Sequence, residues 1–253
     1  MMNTIRQSND ISFLSGNMLK IIAAVTMLVD HAGILFFPSQ NIYRIIGRLA
    51  FPIFAYMIAE GCKYTRNKIR YFAMIFGLAA VCQGVYYFFA DSLYMCVLVT
   101  FSISIVTLFA LDNFKRMVFD RECAAVYKLL SAGLFISCIA FAYVANLFLE
   151  IDYGFCGCML PVCAGLLHMP ENCSSPFLKK LDNSFMSTIM LAIGLVPLII
   201  SAGGIQVYSL LAILPLILYS GKRGKFKMKY FFYIFYPLHL VVLEGIYMLV
   251  NNM

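Results

Sequence analysis

The chain has 253 residues, of which 62% are hydrophobic and only 12% charged, and its mean hydropathy is +0.87. A soluble domain carries roughly 25% charged residues, so water cannot be the solvent for most of this sequence. The net charge of +7 is spread over short loops between apolar runs, which excludes a nucleic-acid footprint and points to membrane orientation instead.

A bilayer core needs about 20 mostly apolar residues per helix. Runs of that kind fall at 18–37, 46–62, 69–90, 94–111, 126–148, 153–169, 185–202, 205–220 and 229–250. They predict an all-α integral membrane protein, a polytopic bundle of about nine transmembrane helices forming one domain over 1–253. The first run is long and lacks a small-residue cleavage site, so it is expected to be a retained span and not a signal peptide. With the N-terminus in the cytoplasm and the C-terminus outside, all of the 19 Lys and Arg residues except Arg44 and Arg48 fall on the cytoplasmic side. A cytoplasmic, bacterial-type plasma membrane is the expected location. Tyr43, Tyr71, Tyr94, Tyr153, Tyr208 and Tyr230 stand near span ends, where amphipathic rings settle. No internal repeat is evident, and the sequence leaves the oligomeric state open.

The nine cysteines do not form a disulfide framework. Cys156, Cys158 and Cys163 match no common zinc spacing, and small residues in apolar runs serve close helix packing. No metal site is expected.

The two basic residues that break the orientation rule are spaced i, i+4 and share a helix face. Asp30 and His31 lie in the outer half of the first span, joined to the second by a short loop, so Asp30 is expected to neutralise Arg44 or Arg48. Glu60, His239 and Glu244 are further ionisable groups inside spans, where such groups cost a few kcal/mol and face a partner or a water-filled cavity. Tyr233, Tyr236 and His239 share a broad face of the last span, which Pro237 should kink. The plain reading of Asp30 with Arg48 is an orienting ion pair, and that of a single intramembrane His is a packing residue. Two His residues, one beside an Asp, favour function. The loop Gly221-Lys222-Arg223-Gly224-Lys225 lacks the phosphate-loop pattern of nucleotide binders. It reads either as orientation charge or as a site for the phosphates of an anionic cosubstrate, which Lys63 and Arg66 could join.

Several stretches resemble the TraX family. They are Leu19-Lys20-Ile21-Ile22 through Asp30-His31, the run from Arg44 to Gly61 followed by Tyr64-Thr65-Arg66, and Asp152-Tyr153-Gly154 with Gly157. Tyr219 to Gly224 and Tyr230 to His239 complete the series, which is weak only over 100–150. The segment 47–61 is also similar to the Asp-Leu-Val-Phe-Pro-type helix of membrane acetyltransferases that modify glucosamine in heparan sulfate. One departure is Cys96 with Val99-Thr100-Phe101, where the family tends to carry Asn before Phe-Thr.

The resemblance implies an acyl-CoA-dependent acetyltransferase acting from within the bilayer on an amine or hydroxyl of a peptide or sugar acceptor, pilin among them. Acetyl-CoA is then the cosubstrate. His31, Asp30, Arg48 and His239 are the expected catalytic residues. His31 takes the acceptor proton, or is itself transiently acetylated, and Asp30 orients it. Arg48 balances Asp30 or faces the oxyanion, and His239 is a second base or holds the thioester with Tyr236. Binding is expected from Arg44, Glu60, Lys63, Tyr64, Arg66, Tyr153, Lys222, Arg223, Tyr233 and Tyr236. The alternatives are a proton-coupled transporter or flippase, and a non-catalytic assembly factor for surface appendages.

Overall fold

The computed structural model describes residues 12–90, 94–225 and 228–251. Among them the ordered elements are helical, and strand pairing is confined to two isolated bridges, Leu14 with Tyr219 and Met95 with Ile151. Seven helical stretches are long and apolar enough to cross a membrane: Gly16–Phe36, Asn41–Tyr64, Lys68–Val85, Val97–Phe119, Ala125–Phe148, Ser184–Ala202 and Ile234–Asn251. The chain forms two compact units, one of Met1–Met57 with Gly203–Met253 and one of Ile58–Ala202.

In the first unit α1 (Gly16–Phe36) packs against α2 (Asn41–Gly47) and α11 (Lys229–Asn251), and α2 packs against a 3-10 helix, Gly204–Ala212. The start of α1 is fully capped. Ser15 Oγ accepts from Met18 N at 3.3 Å, and the Gly16 and Asn17 N–H groups donate to the Lys222 and Arg223 carbonyls at 2.8 and 3.0 Å. The basic loop is thereby fastened to the chain entry by its main chain, and its side chains stay exposed. Gly224, at φ +98°, needs the left-handed region there.

Helix α3 (Ala50–Tyr64) begins in the first unit and ends in the second. The second expected span is therefore one apolar stretch with a break at Arg48–Leu49. Pro52 has no N–H to give the Arg48 carbonyl, which explains a break one turn earlier.

The second unit contains α4 (Lys68–Ala90), α5 (Val97–Phe119), α6 (Ala125–Phe148), α7 (Gly154–Ala164), α8 (Pro176–Leu181) and α9 (Ser184–Ala202). Small residues bring its helices together. Ser104 Oγ donates to the Cys158 carbonyl at 2.7 Å, and a Cβ on Gly194 would stand 2.8 Å from Cys163 Cβ. The cysteines are free and buried or half-buried, in line with a packing role. On α6, Leu129, Ile136, Phe141 and Leu147 are exposed, as lipid permits and water does not.

The runs expected as spans six and eight are shorter helices. Helix α7 has 11 residues, roughly 17 Å against a hydrocarbon core of about 30 Å. Pro161 removes a helix bond near its end. The stretch over 205–220 is the nine-residue 3-10 helix followed by α10 (Ile213–Ile217), and Pro215 lies inside that last short helix. The 3-10 stretch opens at Gly203 and Gly204, with φ +64° and +52°, values that glycine reaches without strain.

Candidate functional site

In the first unit the closeness of α1 and α2 rests on two glycines. A Cβ on Gly33 would lie 2.3 Å from Tyr43 Cβ, and one on Gly47 would lie 2.3 Å from Asp30 Cβ, Cγ and Oδ1. With no side chain at Gly47, Asp30 lies directly over the α2 backbone. Its Oδ2 accepts from Arg44 Nη1 at 3.3 Å and stands 3.5 Å from Arg48 Nη2. Arg44 and Arg48 thus share one carboxylate, as their i, i+4 spacing allows. Arg48 is more deeply placed: its side chain is 12% exposed against 33% for Arg44. Its other donors reach the Arg44 carbonyl from Nε at 3.4 Å and Gln206 Oε1 from Nη1 at 3.1 Å.

His31 is not oriented by Asp30, because adjacent helical residues point apart. Its Nδ1 lies 2.8 Å from the Met27 carbonyl one turn back. His239 repeats this arrangement on α11, with Nδ1 3.0 Å from the Phe235 carbonyl. A carbonyl only accepts, so in each ring Nδ1 carries a proton, and in the neutral ring the lone pair is on Nε2. The two rings meet edge to face with centroids 5.1 Å apart. Phe235 stacks on His239 at 5.2 Å, and Tyr236 meets it edge-on at 5.6 Å. The Tyr233 side chain lies outside the described residues.

Among the described residues, four buried side-chain atoms lack a hydrogen-bond partner: Asp30 Oδ1, Gln206 Nε2, Ser209 Oγ and His239 Nε2. All four belong to the first unit. Buried polar atoms are rarely left unpaired, and doing so costs about 1–3 kcal/mol each. Two of the four, Asp30 and Gln206, contact Arg48, and a third, His239, is one of the two imidazoles. Neither Gln206 nor Ser209 stood out from sequence. The available signal was two polar residues three apart inside an apolar run.

Lys222 and Arg223 are exposed on the fastened loop of this same unit. The other expected binding residues lie in the second unit or at its entry. Lys63 Nζ is paired with Asp182 and sits 5.3 Å above the Tyr64 ring, while Tyr64 and Arg66 are exposed. Glu60 is buried, with Oε1 3.7 Å from His168 Nε2. That nitrogen also contacts Ser187 Oγ at 3.2 Å. His168 lies in the loop after α7, outside every helix long enough to cross a membrane. Burial, and then the charges of Lys63 and Lys115, push its imidazole well below the usual range. Tyr153 is the one non-glycine described at positive φ, +60°, and it precedes Gly154 at +58°. The turn is held by Thr100 Oγ1, which donates to the Asp152 carbonyl at 2.7 Å, and by Tyr94 Oη, 2.7 Å from Asp152 Oδ1. Thr100 lies in the segment that departs from the family pattern, and its hydroxyl supplies a polar contact there. No group of three or more His, Cys, Asp or Glu among the described residues is placed to hold a metal ion.

The sequence profile described as TraX protein matches residues 15–247, which takes in this site and both units. The chain belongs to the TraX family. It is similar to the probable fimbrial assembly protein FimC, serogroup H1, of Dichelobacter nodosus, at 23% identity over 93% of this chain and 96% of that one. A 54-residue stretch is 42% identical to an uncharacterized protein of Rickettsia prowazekii (strain Madrid E), covering 21% of each. No solved structure matches this TraX chain.

Proposed function

We propose that this TraX protein is a membrane-embedded acyltransferase that moves an acetyl group from cytosolic acetyl-CoA to an amine or hydroxyl of a peptide or sugar acceptor. The observation that carries the reading is the pair of neighbouring imidazoles with Nδ1 protons committed to main-chain carbonyls. That arrangement leaves two Nε2 lone pairs, the form that a general base requires. The acceptor heteroatom attacks the thioester carbonyl carbon and gives its proton to an imidazole Nε2. The carbon–sulfur bond then breaks, and the CoA sulfur leaves with that proton. Asp30, bridged by Arg44 and Arg48, fixes α2 against the part of α1 that carries His31. Lys222 and Arg223, exposed on a loop whose main chain is pinned, suit the CoA phosphates. Arg66 is a further exposed cation for an anion, whereas Lys63 would first have to leave Asp182.

The fimbrial-assembly name of the Dichelobacter relative favours a surface-appendage subunit as the acceptor. A purely structural assembly role would tolerate replacement of Asp30, His31 and His239 together. The decisive assay follows CoA release from labelled acetyl-CoA by the purified protein with amine and hydroxyl acceptors. His239→Ala and His31→Ala should each lower the rate by about 100-fold or more, as loss of a general base does. No CoA release by the wild type, or full activity in both variants, would sink the assignment.

A further inference from the structure

We infer that Gln206 and Ser209, on the 3-10 helix Gly204–Ala212, are the two donors that take the negative charge developing on the thioester carbonyl oxygen. The inference rests on the acyl-transfer reading and assigns the part of the site that the imidazoles leave unfilled.

Both side chains are buried, Gln206 at 3% exposed and Ser209 at 0%. The orientation of the Gln206 amide is set by chemistry. A guanidinium only donates, so the atom 3.1 Å from Arg48 Nη1 must be the carbonyl Oε1, and the NH2 group points elsewhere. That Nε2 has no partner. The Arg48 charge on Oε1 also polarises the amide and strengthens its N–H donors.

Ser209 stands three residues on. In a 3-10 helix, side chains at i and i+3 eclipse, so the two donors lie on one face of the element. Its hydroxyl is unusual for this protein. Thr26, Ser102, Thr107, Ser131, Ser137 and Thr188 all donate to a main-chain carbonyl about one turn back. Ser209 does not, and its Oγ is buried without a partner.

The unpaired atoms therefore sort by chemistry. Gln206 Nε2 and Ser209 Oγ can donate, whereas His239 Nε2 and Asp30 Oδ1 can only accept. Asp30 Oδ1 lies against Gly47, which leaves His239 Nε2 as the unpaired acceptor for a proton. Attack on a thioester needs both kinds at once. The proton of the nucleophile passes to an imidazole nitrogen, and the carbonyl electron pair moves onto oxygen. When the tetrahedral species collapses, that pair re-forms the carbonyl and the sulfur leaves with the proton. Each nitrogen of the Arg48 guanidinium is engaged, by Asp30, Gln206 or the Arg44 carbonyl, so in this scheme Arg48 is a positioning residue that aims Gln206.

The test uses the full-length protein in detergent with acetyl-CoA and two probe acceptors, a short peptide with a free amine and glucosamine. Gln206→Glu keeps an oxygen that accepts from Arg48 Nη1 and removes the amide donors, and Ser209→Ala removes the hydroxyl. Each should lower kcat about 100-fold, the usual effect of losing one oxyanion donor, with KM for acetyl-CoA unchanged. The melting temperature should hold or rise in Ser209→Ala, where a buried polar atom without a partner is removed, and should hold in Gln206→Glu, where the Arg48 contact is kept. Unchanged kcat in both variants overturns the donor assignment alone. A loss of kcat that tracks a lowered melting temperature assigns a structural role and also overturns it. Absence of CoA release by the wild type overturns the acyl-transfer reading, and the donor assignment falls with it.

Discussion

A methyl group at Gly47 would occupy the space of the Asp30 carboxylate. Gly47→Ala is expected to destabilise the protein by about 1–3 kcal/mol, as overpacking does, and to pull Asp30 away from Arg44 and Arg48. Gly77→Ala in α4 is the control, since its added Cβ meets nothing within 4 Å. It should be neutral or stabilise by up to about 1 kcal/mol through helix propensity. Thermal unfolding of the two variants in detergent checks both directions. At this scale the sequence was informative wherever charge was involved. Asp30, Arg44 and Arg48 cannot sit in apolar runs unpaired, so their meeting could be anticipated. Gln206 and Ser209 carry no charge, and neutral polar residues are common enough in membrane helices to pass unremarked. Their meaning depends on what their neighbours fail to offer, which only coordinates reveal. The same holds for the Met27 and Phe235 carbonyls that set the two imidazole tautomers.

At the level of elements, the loop after α7 is tied to α3, α5 and α9 by polar side chains. Lys115 Nζ donates to the Gly165, Leu166 and His168 carbonyls at 3.3, 2.7 and 2.9 Å, and Asp182 joins Lys63 to the Met169 amide. His168 is part of this tie. Its ordinary value is about 6.5, and the folded environment holds it well below that, through burial and then Lys63 and Lys115. The Glu60 carboxylate, 3.7 Å away, stands beyond hydrogen-bond distance. Between the folded and unfolded values the unfolded chain binds the extra proton. The contribution is therefore complete above about pH 6.5 and is lost as pH falls below it. Melting temperatures recorded from pH 7.5 to 5.0 should decline across that window, and the decline should be shallower in His168→Gln. An identical slope in the variant would remove His168 from the account. Helix existence was legible from apolar run length, because lipid demands it. Helix length was less so at α7, at the 3-10 helix and at the Arg48–Leu49 break, where Pro161, Pro215 and Pro52 each remove a main-chain donor inside a run that hydropathy alone treats as continuous.

For the whole molecule, the seven long apolar stretches establish a multi-pass membrane protein, and the proposed reaction gives its two faces different partners. In that reaction acetyl-CoA would bind on the face where the basic loops are expected, and the acceptor on the face nearer Arg44. The imidazole pair and the Arg48–Asp30 bridge, both inside apolar helices, are the place where the two substrates would meet. Transport without covalent chemistry would move a substrate and leave the thioester intact. The most direct test is therefore one of sidedness. Inside-out membrane vesicles carrying the protein would be loaded with an amine acceptor in the lumen and given labelled acetyl-CoA outside. Label should become covalently attached to the lumenal acceptor while CoA accumulates outside, and His239→Ala should abolish both. Label confined to the external medium, or transfer that persists undiminished in His239→Ala, would contradict the proposed reaction.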